Sequence, residues 1–389
     1  MHILLVLLIV LAIARLFGEI AKRLGQPAII GEVLAGVLLG PMLLNIIVPT
    51  ALLESLAMLG IFFLMFLAGL EIPTKRLLRV GVPSSLTALG GILLPLVLGY
   101  AVTIALGFGP LEAVIVGISL SITAVAVSVD TLIDIGKLKT AIGSTITEAG
   151  ILDDIMALVF LSVITAVLAS WQFGFLVGYF SVFVKIAFFF LVAVIVGLFV
   201  LPQILKASKA MISREALFAI VTVILIGYGL GAEAIGLHGI IGAFLAGLFV
   251  RHAIEKVKGA YVQLLPRFSA LGLGLLTPIF FVWLGIMLSP AIFTAPLLAA
   301  TGLLIAVAII GKILGCSFGA RAAGMRWPAC FVIGIGMNGR GAVELVVAEI
   351  ARRAGLISTE LFSIIVLMAL TTTLLTPGLL KLGFKKFRL

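Results

Sequence analysis

The chain has 389 residues, of which 63% are hydrophobic and only 11% charged, and its mean hydropathy is +1.39. A soluble domain carries about 25% charged residues, and no single core could hide this much apolar surface, so a water-soluble fold is excluded and lipid is the solvent. The formal net charge of +10 forms no basic stripe with interleaved aromatics, which excludes nucleic acid as a partner.

Crossing a hydrocarbon layer takes about 17–25 apolar residues. Runs of that kind lie at 2–17, 28–45, 52–70, 82–106, 111–130, 142–169, 174–201, 215–231, 234–250, 268–288, 291–319, 328–350 and 359–381. They predict an all-α polytopic membrane protein of about 13 TM helices. The first run is short and the eighth and ninth nearly fuse, so 12 is the alternative count. The start, Met1-His-Ile-Leu-Leu, lacks the basic region of a signal peptide; Lys22 and Arg23 follow the apolar run instead, as in a retained first helix.

Basic residues alternate loop by loop. Lys22 and Arg23, then Lys75, Arg76 and Arg79, then Lys137 and Lys139, follow the first, third and fifth runs. Lys206, Lys209 and Arg214 follow the seventh, and Arg251, Lys256, Lys258 and Arg267 the ninth. Arg321 and Arg326 come after the eleventh, and Lys381, Lys385, Lys386 and Arg388 close the chain. The loops between carry Glu54, Glu112 and Glu233, with Arg352 and Arg353 as the exception. Lysine and arginine are retained on the cytoplasmic side, so this pattern predicts an external N-terminus and a cytoplasmic C-terminus in the plasma membrane. With an odd number of crossings, the first six and last six helices have opposite orientation, with the seventh as connector. That is the layout of two inverted six-helix repeats. Cys316 and Cys330 flank one predicted cytoplasmic loop, where a disulfide is not expected. His2, His238 and His252 offer no metal-ligand spacing.

An ionisable group at mid-membrane costs at least about 2.5–3.5 kcal/mol, so each marks a functional candidate. Asp153 and Asp154 lie near the middle of the run 142–169. Adjacent helical residues point about 100° apart, so one carboxylate can face a cavity while the other packs against a neighbouring helix. Two neighbouring carboxylates cannot both ionise cheaply away from water. A carboxylate there can hold either a proton or a cation, and that competition couples the two fluxes. Lys312, in the run 291–319, sits roughly 6 Å shallower at helical rise, a gap a lysine stem can span. A Lys–Asp pair that a cation breaks can hand on the lysine's proton.

Two runs look interrupted. Ser119–Ser128 (SLSITAVAVS) is β-branched and hydroxyl-rich, and Gly334–Gly341 (GIGMNGRG) has four glycines in eight positions. Each glycine costs about 1 kcal/mol of helix propensity. Broken helices expose carbonyls and helix ends at mid-depth, which suits a desolvated cation or a buried charge. Asn338, Arg340 and Glu344 are candidates to support the second break. Asp130 and Glu148 read as structural partners of Lys137, Lys139 or Arg340 near the cytoplasmic interface.

With these residues in view, the sequence resembles the sodium/hydrogen exchanger superfamily, and within it the second cation:proton antiporter family of the NapA and GerN type. The likeness runs along nearly the whole chain, through Gly25–Pro41 (GQPAIIGEVLAGVLLGP), Phe63–Glu71 (FLMFLAGLE), Asp153-Asp154, Leu237–Gly247 (LHGIIGAFLAG) and Gly311-Lys312. The resemblance implies an NhaA-like fold with broken crossing helices, and a homodimer in which a core domain moves against a dimerisation domain. On that pattern residues 1–80 are N-terminal helices, mainly of the dimerisation domain. Residues 81–170 are the first half of the core, 171–202 a linker helix, 203–290 the second half of the dimerisation domain and 291–389 the second half of the core. It also implies Asp154 as the main ligand of Na+, with Asp153 beside it and paired to Lys312, and Thr123 and Ser128 at the first crossover. Two aspartates with the lysine go with electrogenic exchange. The pattern departs at Glu344, which stands two residues later than in the expected Arg-Gly-Glu form, and at Glu148, where a small residue is usual. A long cytoplasmic nucleotide-binding extension, typical of the glutathione-gated potassium branch, has no counterpart here, which points away from that branch unless the chain is a piece of a longer one.

These readings predict a monovalent cation/proton antiporter, exchanging Na+ or Li+ for H+ by alternating access, embedded in membrane lipid and using no cofactor. A K+/H+ antiporter, or a Na+-coupled symporter of an organic anion on the same fold, is the alternative. A channel would need a ring-forming filter motif. An intramembrane aspartyl protease would need its two acids on separate helices, and an enzyme is not expected.

Overall fold

The computed structural model describes residues 3–72, 80–170, 175–207, 215–255 and 260–387. Lys75, Arg76, Arg79, Lys209, Arg214, Lys256, Lys258 and Arg388, which carry much of the loop-charge pattern, lie outside the described residues, as does His2. Every described element is a helix, turn or extended link, and the described residues contain no strand.

In chain order the helices are α1 (Ile3–Arg23), α2 (Ala28–Leu39), α3 (Ala51–Glu71), α4 (Val82–Ala105), α5 (Pro110–Ser121), α6 (Ala126–Asp134), α7 (Ala141–Ser170), α8 (Phe175–Ile195) and α9 (Leu201–Ala207). They continue as α10 (Ala216–Ala234), α11 (Gly239–Glu255), α12 (Ala260–Leu271), α13 (Thr277–Ile286), α14 (Ala295–Ala322), α15 (Trp327–Gly336), α16 (Ala342–Arg353) and α17 (Thr359–Phe387). Short π-helical turns, Val196–Val200 and Gly272–Leu276, join α8 to α9 and α12 to α13. Among the described residues, nine helical stretches are long and apolar enough to cross a membrane. Leu4, Leu8, Val223 and Leu230 stand more than half exposed on them, as expected where lipid rather than water bathes the surface.

The run at 28–45 folds differently from its prediction. Helix α2 stops at Leu39, because Gly40 turns extended and Pro41 cannot continue the helical hydrogen bonding; Asn45 then takes a left-handed turn at φ 50°. Its twelve residues span about 18 Å, short of the roughly 30 Å hydrocarbon core.

Two compact units form. One comprises Met1–Glu54, Arg79–Ala157 and Phe281–Leu389, the other Ser55–Leu78 and Leu158–Phe280. In the second unit α11 is buried on nearly all sides, as befits a helix that is apolar all round. Gly247 there sits against the Phe66 and Leu70 backbone of α3, and Phe268 packs on Phe66 and Phe218. The Tyr228 hydroxyl donates to the Ala193 carbonyl at 2.9 Å.

In the first unit α4 and α14 pack backbone to backbone. Gly90 and Gly319 lie so close to the Gly315 and Leu86 carbonyls that no side chain would fit, the small-residue packing of membrane helices. Cys316, Cys330, Met337, Ile146 and Leu132 share the apolar core beneath. Both cysteines are free and buried.

Candidate functional site

Each interrupted run folds as two half-helices joined by extended backbone. The first breaks between α5 and α6, at Ile122 to Ala124, where Ile122 is extended. β-Branched and hydroxyl side chains weaken helical turns here. The second breaks between α15 and α16, where Gly339 and Gly341 flank Arg340. The two breaks touch: the Ala124 amide donates to the Gly339 carbonyl at 2.9 Å, and a Cβ on Gly341 would collide with Ala124. The Ser128 hydroxyl donates to the Gly336 carbonyl at 2.5 Å, satisfying the open end of α15 from α6.

The end of α5 likewise leaves carbonyls without helical partners, and two cations take them up. Lys312 Nζ, from α14, donates to the Ser121 carbonyl at 2.5 Å and the Gly91 carbonyl at 2.9 Å. The Arg340 guanidinium donates to the Ser119 carbonyl at 3.0 Å and to that of Ile122. Positive charge suits a helix C-terminus. Both side chains are fully buried.

Asp153, on α7, completes the arrangement. Its Oδ2 accepts from Lys312 Nζ at 2.7 Å and from the Thr123 hydroxyl at 2.5 Å, while its Oδ1 is buried without a partner. Asp154 makes no hydrogen bond with a described residue and is partly exposed. One helix position thus separates a locked carboxylate from a free one, as the 100° step requires.

The close approach of α7 to the first break depends on Gly150. A Cβ there would come within 2.6 Å of the Val125 Cβ and closer still to its methyl group. Val125 is β-branched and stiff, so it cannot swing aside. Gly150→Ala is expected to push the crossover away and to lower stability by about 1–3 kcal/mol, the usual cost of overpacking. Adding Val125→Ala should recover only part of it, because the methyl clash goes while the residue-125 Cβ stays 2.6 Å away, as measured by melting of the purified protein. If Gly150→Ala alone behaves as wild type, the packing argument fails.

The supporting candidates divide. Glu344 lies in the first turn of α16, buried, its carboxylate 3.9 Å from Arg340 Nε and without a hydrogen bond. The Asn338 side chain is also buried without a partner, and Thr373 clasps the Arg340 backbone, its hydroxyl donating to the Arg340 carbonyl at 2.5 Å. Asp130 is exposed on α6, with no ion pair to a described residue. Glu148 does not pair with Lys137, Lys139 or Arg340. It accepts from the Ser84 hydroxyl at 2.7 Å and the Gly81 amide at 3.4 Å, capping the start of α4, where backbone N–H groups lack helical partners.

Two buried acids escape the sequence pattern. Glu32 on α2 is 4% exposed, with Arg15 at 4.0 Å, and Glu349 on α16 is fully buried. Both lie inside apolar runs, and the cost of an intramembrane charge was the signal that could have found them. Arg352 and Arg353, the exceptions in the loop pattern, are both paired: Arg352 with Glu349 at 2.8 Å and Arg353 with Glu54 at 3.0 Å.

Comparison with known proteins gives concordant results. The family model described as sodium/hydrogen exchanger, transmembrane, matches residues 6–386. The Na(+)/H(+)-K(+) antiporter GerN of Bacillus cereus is 31% identical over 381 residues, covering 97% of this chain and 95% of its own. The Na(+)/H(+) antiporter of Enterococcus hirae is 31% identical over 388 residues, covering 98% of each. Among solved structures, the sodium proton antiporter MjNhaP1 of Methanocaldococcus jannaschii superposes with a TM-score of 0.77 at 19% identity, over 98% of this chain and 97% of that one, a likeness of fold.

Proposed function

This chain belongs to the transmembrane sodium/hydrogen exchanger family, and on that premise we propose that it is a monovalent cation/proton antiporter that exchanges Na+ or Li+ for H+ by alternating access. The observation that carries the reading is the buried Asp153–Lys312 pair beside the hydrogen-bond-free Asp154 at the meeting of two broken helices. Hard monovalent cations seek oxygen, and the free Asp154 carboxylate and the unpartnered Oδ1 of Asp153 can supply it once the cation has shed water. A proton on Asp154 competes for the same lone pairs, so cation entry expels it. Lys312 and Asp153 act as the second proton-coupling pair: a cation drawing on Asp153 weakens its hold on Lys312, and a second proton leaves as the cation arrives. Two protons for one Na+ makes the exchange electrogenic.

Thr123 orients Asp153, Ser128 ties the two breaks together, and Arg340 holds the end of α5. Residues 81–170 and 291–389 form the moving core in this scheme. Residues 1–80 and 203–290 form the dimerisation domain of a homodimer, and 171–202 the linker. In this reading the fold has about 13 membrane segments in two inverted repeats, the second crossing made by the short α2 together with the chain that follows it, with the N-terminus outside and the C-terminus cytoplasmic in the plasma membrane. K+ in place of Na+ is a second reading, favoured by the potassium in the name of the Bacillus cereus relative.

The test is cation-induced proton release from proteoliposomes, screening Na+, Li+ and K+ across pH 6–9. Release on adding Na+ or Li+ is expected. Release with K+ alone would reassign the cation, and silence with all of them would sink the antiporter reading.

A further inference from the structure

The C-terminal end of α16 lies about 18 Å along the helix from the break at Gly341, on the side assigned to the cell exterior. There, basic residues stand in a loop pattern that is otherwise acidic or neutral. Glu349, fully buried, accepts from the Trp283 indole N–H of α13 at 2.9 Å. Its two oxygens also take a bidentate fork from Arg352, at 2.8 Å each. The Arg352 guanidinium lies over the Phe362 ring, its carbon 5.5 Å from the centroid. One residue on, Arg353 reaches Glu54 in the first turn of α3 at 3.0 Å. Nearby, the Ser289 amide donates to the Ser363 hydroxyl at 2.8 Å.

These bonds share a property that burial and stability do not require. Under the proposed function, Trp283, Glu54 and Ser289 belong to the dimerisation domain and Glu349, Arg353 and Ser363 to the moving core, yet all six pack in the same compact unit of this structure, as a closed latch would have them. A bond between parts that slide past one another must break in each cycle. The Glu54–Arg353 pair is 33% and 39% exposed. A half-exposed pair is worth little as glue, yet it is cheap to break, which suits a latch.

We propose that the Trp283–Glu349–Arg352 network and the Glu54–Arg353 ion pair form an external latch that holds the outer path to Asp154 shut and opens once per transport cycle. The inference rests on the antiporter reading above. Arg352 and Arg353 are placed against the charge pattern because they close this latch. Arg352 braces Glu349 so that its carboxylate meets the Trp283 N–H, and Arg353 draws in α3.

The latch is tested by bridging it. Cysteines introduced by Glu54→Cys and Arg353→Cys are joined with a short bis-thiosulfonate spacer, which bonds each thiol as a disulfide and is removed by reductant. Cation-driven proton flux is expected to fall to about one-tenth or less on bridging, the signature of a blocked conformational step, and to return on reduction. Flux that continues unchanged in the bridged protein overturns the latch while leaving the antiporter reading intact. Absence of flux before bridging counts against transport, and the decision then passes to accessibility. Ser363→Cys, buried behind the latch, should react with a membrane-impermeant maleimide from outside. The reaction should be about two- to fivefold faster when Glu54→Ala and Arg353→Ala are added, the ratio a half-exposed ion pair supports. Equal rates, or reaction from the cytoplasmic side alone, overturn the proposal.

Discussion

Replacing Asp154 by Asn is expected to abolish cation-dependent proton release, to background, with Na+, Li+ and K+ alike. The amide is nearly the same size, so helix α7 keeps its packing. What it loses is the charge that offsets the desolvation of the cation, together with the ability to take up and give up a proton. Asp153 cannot stand in, because its Oδ2 is engaged by Lys312 at 2.7 Å and Thr123 at 2.5 Å. The purified variant should melt no lower than wild type, since Asp154 makes no hydrogen bond with a described residue that the change would break and a neutral amide is cheaper than a carboxylate inside the membrane. Proton flux from proteoliposomes and thermal melting together check this. Flux at a tenth of wild type or more would move the cation site off Asp154.

Lys312→Ala tests the other half of the site, and its expected effect falls on stability and on charge movement together. Lys312 Nζ holds Asp153 and the carbonyls of Ser121 and Gly91 at once. Removing it leaves a buried carboxylate unpaired, which costs about 3–5 kcal/mol, and frees carbonyls at the end of α5 whose desolvation adds to that. A clear drop in melting temperature is therefore expected. Pairing the change with Asp153→Asn should recover much of it, because an amide needs no counter-ion. If that double variant still exchanges ions, it should do so without net charge movement, since the second proton carrier is gone. Electrical recording on proteoliposomes under a clamped potential measures this. A Lys312→Ala protein as stable and as electrogenic as wild type would show that the buried pair carries neither role. The two predictions are separable, because Asp154→Asn should spare stability whereas Lys312→Ala should not.

Much of the site was legible in the chain because lipid makes charge conspicuous. Asp153, Asp154 and Lys312 stand out in apolar runs where each charge is costly, and no knowledge of the fold is needed to see them. The glycines at 334, 336, 339 and 341 announce a helix break for a similar reason, a weak propensity repeated within two turns. The all-helical, multi-pass class followed from composition and run length together, since only helices or closed barrels satisfy backbone groups in hydrocarbon and runs of about 20 apolar residues fit helices, not the shorter strands of a barrel.

Other features depend on residues far apart in sequence. Which aspartate is locked and which is free is a matter of rotation about α7 relative to α14, and hydropathy has no information on rotation. The carbonyls of Ser119, Ser121 and Ile122 that receive Arg340 and Lys312 are backbone atoms, which no side-chain pattern reveals. Glu148 read as a partner of Lys137, Lys139 or Arg340 because all were expected near the cytoplasmic interface, yet folding brings it to Ser84 and Gly81, where the start of α4 needs an acceptor. Arg352 and Arg353 broke the loop-charge rule: Arg352 pairs within its own helix with Glu349, one turn earlier, but Arg353 finds Glu54 on a helix far away in the chain. The sequence by itself determined that the chain spans lipid, where the two crossing helices break and that Asp153, Asp154 and Lys312 stand within it, because those depend on local composition and the cost of desolvation. Beyond the Asp153–Lys312 pair that the resemblance implied, the tertiary structure decided which charge meets which partner, because pairing depends on rotation and distance between helices that the chain order leaves open.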